Sequence, residues 1–217
     1  MTYRLDSDIP RPYGWFTDKN SPRQFFPPSS LAWRQPTALS EARKRKYQHP
    51  KPKLVAWIVS NCNTHSNRED YVELLKKHIQ VDVFGACGKL KCGRVDDHNS
   101  EECNKMLEND YKFYLSFENS FCSGYITEKF YKIMSLNIVP VVMGGADYKA
   151  RAPPKSYIDV LDFESPKHLA EFLSQLAHND EEYLSYFWWK VFIIMFLVSR
   201  HSSLIAVLLG SLQCPQQ

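Results

Sequence analysis

Short apolar runs alternate with amphipathic stretches between about residues 53 and 190. The runs that predict strands are 54–60, 81–85, 111–117 and 138–143, and residues 157–163 can add a strand at the edge of the sheet. Apolar residues at helical spacing predict helices at 68–78, 101–109, 126–136, 167–177 and from Asp180 onward. This alternation favours an α/β fold in which a parallel sheet is covered by helices on both faces.

The first 53 residues have a different composition. They hold eight of the 13 prolines and 11 basic against four acidic side chains, and no period of two or 3.6 residues is sustained. Because proline lacks the amide hydrogen that ladders and helix interiors use, we predict an irregular, basic linker over residues 1–53. The basic run at 43–46 is explained by a solvated linker face, so no nucleic-acid partner is expected.

The last segment, residues 191–217, is an atypical apolar tail that follows the predicted domain of residues 54–190. Residues 191–198 and 204–209 are apolar, but 199–203 interrupt them, so no run reaches the ~18 to 20 residues of a membrane-spanning helix. Without a partner this tail would expose an apolar strip, and its deletion is expected to raise the soluble yield.

The overall composition narrows the class of protein. With 217 residues, of which 44% are hydrophobic, the chain can bury a sizeable core, which excludes disorder as its overall state. The first residues lack the apolar core of a secretory signal. As displayed, the chain is therefore predicted to be cytosolic and reduced, unless the sequence is incomplete.

Polar residues follow the predicted strands, where ligands bind in sheets of this kind. The loop after 111–117 leads into a helix start and contains Asn119, Tyr125, Glu128 and Lys129. Backbone amides at a helix start favour an anion, and Lys129 would add a positive charge for a phosphate. Glu128 could accept hydrogen bonds from two sugar hydroxyls. This pattern predicts a nucleotide-sugar site, with ordinary exposed helix residues as the alternative.

Arg68, at the start of the predicted helix at 68–78, could hold a diphosphate through two hydrogen bonds, or could instead form a surface ion pair with Glu69 or Glu73. The usual sequence motifs for ATP hydrolysis and NAD chemistry are absent. The sequence contains neither a glycine-lysine phosphate loop nor a Gly-x-Gly-x-x-Gly turn after a strand. A metal-binding Asp-x-Asp motif is missing too, unless Asp6-Ser7-Asp8 in the linker is counted.

The six cysteines allow 15 full pairings. A zinc site could be drawn from Cys87, Cys92, Cys103 and His98, but their spacing matches no regular ligand pattern, and disulfides or free thiols are favoured. If the protein is luminal, we expect at least one disulfide among five of the cysteines: Cys62, Cys87, Cys92, Cys103 and Cys122.

Five segments resemble the α1,3-fucosyltransferase family. They are residues 59–62 (VSNC), 84–88 (FGACG), 114–120 (YLSFENS), 125–129 (YITEK) and 139–144 (VPVVMG), and residues 1–8 resemble the segment that enters the donor-binding half of these enzymes. The resemblance extends to about residue 188. Cys62 and residues 85–88 are more similar to the invertebrate enzymes that modify the N-glycan core than to Lewis-type enzymes.

The resemblance implies a fold, a reaction and a site. It implies the C-terminal half of a two-Rossmann (GT-B) glycosyltransferase that transfers fucose from GDP-fucose to GlcNAc of an N-glycan or glycoprotein acceptor, with inversion and without a required metal or other cofactor. Arg68 and Lys129 would neutralise the pyrophosphate, Glu128 would hold the ribose, and Asn119 and Tyr125 would complete the donor pocket. The implied location is the Golgi lumen, with an N-terminal membrane anchor that the displayed chain lacks.

Two departures from the family pattern bear on activity. The carboxylate base that deprotonates the acceptor belongs to an N-terminal domain preceding the matched region, so no residue here is predicted to be catalytic and the chain alone is expected to be inactive. Residues 191–217 do not resemble the family, which suggests a truncated gene model or splice form. A catalytically inactive GDP-fucose or GDP-binding fragment, and a glycosyltransferase with another donor, are the alternatives.

Overall fold

A computed structural model describes residues 3, 8, 10, 12–20, 33–48, 50–92 and 101–198. The strands are β1 (Gly14–Asp18), β2 (Lys53–Ile58), β3 (Val81–Phe84), β4 (Tyr111–Phe117), β5 (Val139–Met143), β6 (Ile158–Asp159) and β7 (Ile193–Leu197). The helices are α1 (Glu41–Tyr47), α2 (Arg68–Leu75), α3 (Glu101–Asp110), α4 (Glu128–Ser135), α5 (Tyr148–Arg151), α6 (Pro166–Ala177) and α7 (Asp180–Ser185). His98, Asp6, Ser7 and the apolar run at 204–209 lie outside the described residues.

A five-stranded parallel sheet forms the body of the fold, as the sequence pattern predicts. Its strand order is β3-β2-β4-β5-β6, and every neighbouring pair is parallel. The chain leaves β2 to form the edge strand β3 and then returns to the other side of β2 as β4. The strand order therefore reverses between β2 and β4, which makes their carboxyl ends the switch point of a doubly wound sheet.

Both faces of the sheet are buried, which explains why its strands are so apolar. On β4, Phe113 and Leu115 face a core shared with α2, α6 and α7, whereas Tyr114 faces the core shared with α3 and α4. Helix α6 begins as predicted, because the Ser165 hydroxyl accepts a hydrogen bond from the His168 amide and Pro166 lies in the first turn.

The predicted edge strand at 157–163 is much shorter in the structure. Only Ile158 and Asp159 pair with β5, and Val160–Asp162 form a 3₁₀ turn. The Asp159 carboxylate accepts a hydrogen bond from the Leu161 amide. This local bond turns the backbone away from the ladder, as short acidic side chains often do.

The prediction that residues 1–53 are irregular throughout is wrong for two segments. Strand β1 and helix α1 form there, and their residues Phe16 and Tyr47 are buried. Phe16 packs edge-on against Phe130 of α4 and against Trp189, and Tyr47 stacks on Phe187. Aromatic burial thus attaches this proline-rich segment to the body of the domain.

The expectation that the tail exposes an apolar strip is also wrong for its described residues. Strand β7 pairs antiparallel with β1, from Gly14 opposite Leu197 to Asp18 opposite Ile193. Ile193 is buried and only Leu197 within this strand is exposed. Deleting residues 191–217 would remove the partner of β1, so a higher soluble yield is no longer expected. Among the described residues, no helix is long and apolar enough to cross a membrane.

Two lysines, Lys51 buried and Lys190 half-buried, lie at the amino-terminal edge of the sheet. The Lys51 ammonium donates to the carbonyls of Tyr111 (3.1 Å) and Asn137, and the Lys190 ammonium donates to the Leu136 carbonyl and to Asn137 Oδ1 (3.3 Å). Burial lowers the pKa of Lys51 to about 8 and that of Lys190 to about 7. These lysines satisfy loop carbonyls, but their charged forms are poorly solvated.

The lowered pKa values of Lys51 and Lys190 predict that the protein becomes more stable as the pH rises. Nearby Glu108 raises both pKa values, while Lys46 and Lys112 add to their depression. Unfolded lysines titrate near pH 10.4, so between about pH 7 and 10 the unfolded state binds more protons than the folded state. We expect the free energy of unfolding to increase by about 3.5 kcal/mol from pH 7 to pH 9, measured by urea titration.

A double variant provides the control for this prediction. Lys51→Met with Lys190→Met should flatten the pH dependence between pH 7 and 9, because the two titrating groups are then absent. A wild-type protein whose stability is constant or falls over that range would contradict the assignment.

Candidate functional site

The loops that follow β2 and β4 meet at the switch point. The Ser66 hydroxyl donates to the Glu118 carbonyl at 2.7 Å, and the Ser66 amide donates to the Asn119 carbonyl at 3.1 Å. The Glu118 amide in turn donates to the Met143 carbonyl at the end of β5. Three strand ends are thereby tied together at the edge where doubly wound sheets bind ligands.

Glu118 is the charged centre of this edge. Its side chain is fully buried, with Oε1 accepting from the Thr127 amide (2.7 Å) and Oε2 accepting from the Thr127 hydroxyl (2.9 Å). The Lys129 ammonium lies 3.5 Å from Oε2. Burial raises the pKa of the Glu118 carboxyl, while Lys129 and the Thr127 hydrogen bonds lower it. The carboxylate therefore joins the end of β4 to the start of α4.

Helix α4 presents a cation at its N-terminus. Thr127 is the N-cap, and its hydroxyl accepts from the Lys129 amide (3.3 Å) and from the Lys129 ammonium (3.1 Å). Lys129 keeps 27% of its side-chain surface exposed, and Glu128 lies beside it, with 3.8 Å between ammonium and carboxylate. A lysine in the first turn opposes the helix dipole unless an anion is bound there, so this terminus is suited to a phosphate.

Asn119 and Tyr125 lie on the same loop as Glu118. Asn119 Oδ1 is buried and accepts no hydrogen bond within the part of the chain that the structure describes. Such an acceptor is expensive to leave unpaired, which makes it suitable for an N–H or O–H of a ligand. The Tyr125 ring packs edge-on against Tyr3, and burial raises the pKa of its phenol, so Tyr125 remains a neutral hydrogen-bonding group.

Arg68 lies at the switch point but faces the protein interior. Its side chain is only 2% exposed, with Nη1 donating to the Phe117 carbonyl (2.7 Å), Nη2 to the Asn61 carbonyl (3.0 Å) and Nε to Glu69 (3.1 Å). Three of the five N–H groups of the guanidinium are thus directed at protein acceptors. The alternative of a Glu69 pair is present, and it joins a buried guanidinium to a half-buried carboxylate.

The structure contains a disulfide beside the site and another in the core next to α3. Cys62 pairs with Cys87, and Cys92 pairs with Cys103. The sequence alone did not determine which cysteines pair. Because Cys87, Cys92 and Cys103 are all in disulfides, they cannot serve as thiolate ligands of the zinc site considered above. No cysteine in the described part of the chain is free.

The structure adds residues that the sequence analysis did not assign: Glu118, Thr127, Ser66 and Tyr148. Tyr148 is buried beside Glu118, and its hydroxyl has no hydrogen-bond partner among the described residues. A Cβ at Gly144 would lie 2.9 Å from this hydroxyl and 3.4 Å from Glu118 Cγ, so the close approach requires glycine. The signal for Glu118 was its position directly after β4, although a pattern alone does not distinguish a buried carboxylate from an exposed one.

The fold and the site together define a doubly wound α/β domain with a cationic helix start and hydrogen-bonding groups at its switch point, an arrangement typical of nucleotide binding. The chain belongs to glycosyltransferase family 10, the fucosyltransferases, because the profile of that family's C-terminal region matches residues 48–209. This confirms the resemblance found in the sequence. It also corrects the expectation that residues 191–217 do not resemble the family, because the match extends to residue 209.

Relatives and solved structures agree with this family. The chain is 41% identical over 191 residues to α-(1,3)-fucosyltransferase C of Drosophila melanogaster and 43% identical over 192 residues to glycoprotein 3-α-L-fucosyltransferase A of the same organism. It covers 44% and 35% of their respective lengths, with 88% and 87% of the chain aligned. The chain is also similar to a crystal structure of an α1,3-fucosyltransferase with GDP-fucose. The superposition covers 63% of this chain and 38% of the crystallised chain, at a TM-score of 0.52 and 26% sequence identity.

Proposed function

We propose that this chain is the donor-binding portion of an α1,3-fucosyltransferase that transfers fucose from GDP-fucose to GlcNAc of a glycoprotein glycan with inversion. The observation that carries the proposal is the Lys129 ammonium at the N-terminus of α4, at the switch point of a fucosyltransferase-family domain. Glycosyl transfer with oxocarbenium character builds negative charge on the departing diphosphate, which a fixed cation at a helix start stabilises.

Each site residue has a role in this proposal. Lys129 neutralises the diphosphate, Glu128 accepts hydrogen bonds from the ribose hydroxyls, and Asn119 Oδ1 and the Tyr125 phenol complete the donor pocket. Arg68 adds positive potential and holds the loop after β2 against β4 through its carbonyl bonds. With these cations in place, no divalent metal is required for leaving-group stabilisation.

The acceptor base and a membrane anchor are proposed to belong to other parts of a longer enzyme. The proposal follows from the family resemblance and is supported by the length of the relatives, of which this chain covers less than half. The proposed location is the Golgi lumen, where two disulfides are compatible with the oxidising environment. General-base help is typically worth ~10²- to 10⁴-fold, so we expect no transfer by the printed 217 residues alone.

Calorimetric titration with GDP tests the donor site. Lys129→Ala is expected to weaken GDP binding by about 1.5 to 3 kcal/mol, because a charge-assisted hydrogen bond to phosphate is lost. Lys167→Ala is the matched control, since Lys167 occupies the corresponding second position of α6 and its pair with Glu171 is exposed. The control should bind GDP like the wild type.

Three outcomes would contradict the proposed function. GDP binding that Lys129→Ala leaves unchanged would remove the diphosphate assignment, and preference for UDP over GDP would indicate another donor. Radiolabelled fucose transfer above background by the purified chain would contradict the division of the reaction between this portion and the rest of a longer enzyme.

A further inference from the structure

The Cys62–Cys87 disulfide joins two loops at the carboxyl edge of the sheet. Cys62 lies in the loop after β2, and Cys87 lies in the turn after β3, with 5.4 Å between their Cα atoms. The Cys87 amide also donates to the Val59 carbonyl at 3.2 Å. Gly85 has a φ of +90°, and a Cβ there would lie 2.5 Å from the Val59 carbonyl oxygen. The turn after β3 is therefore held directly against the start of the loop after β2.

Next to Cys62, Asn61 supplies one of the carbonyls that hold Arg68. Arg68 Nη2 donates to the Asn61 carbonyl, while Nη1 donates to the Phe117 carbonyl at the end of β4. The guanidinium thus bridges the loop after β2 and the strand whose following residues form the donor site. Any displacement of Asn61 changes the position of a positive charge at the switch point.

Burial does little to hold this part of the loop. Asn61, Cys62 and Asn63 are all exposed, whereas Thr64 and Ser66 are buried and hydrogen-bonded to Glu69 and to Glu118. The covalent bond from Cys62 to Cys87 is consequently the main constraint on the segment that carries the Asn61 carbonyl.

We propose that Cys62 and Cys87 are positioning residues of the donor site: their bond fixes the Asn61 carbonyl and, through it, the Arg68 guanidinium for GDP binding. This inference rests on the proposed function and deepens it. It predicts that loss of the bond lowers the affinity for the diphosphate part of the donor while the domain remains folded.

The second disulfide supplies a matched control. Cys92 and Cys103 are buried, at 7% and 0% exposure, and Cys103 packs in the core between α3 and the sheet, not on the loops after β2 and β4. Its loss should lower thermal stability without moving Asn61 or Arg68. Comparing the two bridges therefore separates a positioning role from general stabilisation.

The experiment titrates the full chain with GDP and with guanosine, at a temperature where circular dichroism shows each protein to be native. Cys62→Ser with Cys87→Ser is expected to bind GDP about tenfold more weakly, with guanosine affinity changed less than about twofold, because the displaced group is a cation. Cys92→Ser with Cys103→Ser should melt at a lower temperature but keep GDP affinity within about twofold.

Reduction of the wild type gives a second measurement if the double variant does not fold. A dithiol such as dithiothreitol transfers two electrons and two protons, forming two cysteine thiols and its own cyclic disulfide. Exposed Cys62 should react before the buried bridge, as alkylation and mass spectrometry would show. GDP affinity should fall about tenfold and return after reoxidation with glutathione disulfide.

The outcomes separate this inference from the proposed function. If the oxidised wild type does not bind GDP, both are overturned. If the wild type binds GDP and the form without the Cys62–Cys87 bond binds it equally well, only the positioning role is overturned. Equal losses for GDP and guanosine, or equal losses for the two disulfides, would also overturn it.

Discussion

Glu118→Ala is expected to destabilise the domain by about 3 kcal/mol and to reduce GDP binding to a level that calorimetry no longer detects. The fully buried carboxylate accepts from the Thr127 amide and hydroxyl and lies 3.5 Å from the Lys129 ammonium. Its removal leaves buried donors unsatisfied and a cavity beside them, and each such loss costs ~1 to 3 kcal/mol. The start of α4 and its cation then lose their anchor to β4.

Two further variants show whether the charge or the shape of Glu118 is required. Glu118→Gln should destabilise less than Glu118→Ala, because it keeps an acceptor for the Thr127 amide and escapes the desolvation that raises the carboxyl pKa. Glu101→Ala removes an exposed glutamate paired with Lys105 and should leave the free energy of unfolding nearly unchanged, because water screens this pair. Equal effects of Glu118→Ala and Glu101→Ala in urea titration would contradict the central role of Glu118.

Arg68→Ala is expected to have a comparable or larger effect on stability, about 3 to 5 kcal/mol. The guanidinium is buried, forms an ion pair with Glu69 and satisfies the carbonyls of Phe117 and Asn61. Removing the buried guanidinium leaves both carbonyls without a donor and the half-buried Glu69 carboxylate without its cation. It also removes the cation lying 5.5 Å from the centre of the Trp57 ring. The measurement is the free energy of unfolding from denaturant titration.

Arg34 provides the matched control for Arg68. Its Nε and Nη2 both donate to Asp18 Oδ2, but the Arg34 side chain is half exposed. Because water screens this pair, Arg34→Ala should cost less than about 1 kcal/mol. Arg68→Lys should recover only part of the loss, since an ammonium lacks the planar fork that reaches both carbonyls. Full recovery by lysine would show that charge alone is sufficient.

The central strands could be predicted from sequence because buried strands consist of nearly continuous runs of apolar residues. Strand β4 has the predicted bounds of 111–117, and β5 begins one residue later than predicted. Such agreement follows from the position of both strands inside a covered sheet, where nearly every residue is buried. Helix α4 is shorter than predicted because Thr127 adopts extended backbone angles and serves as the cap.

Strand β1 could not be predicted in the same way. Its sequence, GWFTD, is short and lies among prolines, and its partner β7 is more than 170 residues further along the chain. A period calculated over neighbouring residues contains no information about so distant a pairing. The segment's burial depends on aromatic contacts with α4, which only the folded chain reveals.

The positions of the candidate site residues on the fold were easier to predict than their surroundings. Strand ends and the helix start located Asn119, Tyr125, Glu128 and Lys129 on one edge, because parallel topology alone brings those positions together. The inward direction of Arg68 and the burial of Glu118 depend on three-dimensional packing, which residue type and spacing do not specify. Their direct roles in donor binding stay predictions that the variants above will test.

The Cys92–Cys103 bond holds two positions of the chain 5.2 Å apart between their Cα atoms, while ten residues lie between them in sequence. The covalent bond keeps these two positions together, whatever is inserted between them in sequence. Lengthening a closed loop costs only about 0.6 kcal/mol for each doubling. An epitope or fluorophore tag inserted between Cys92 and Cys103 in sequence is therefore expected to leave these two cysteines in their places in the core.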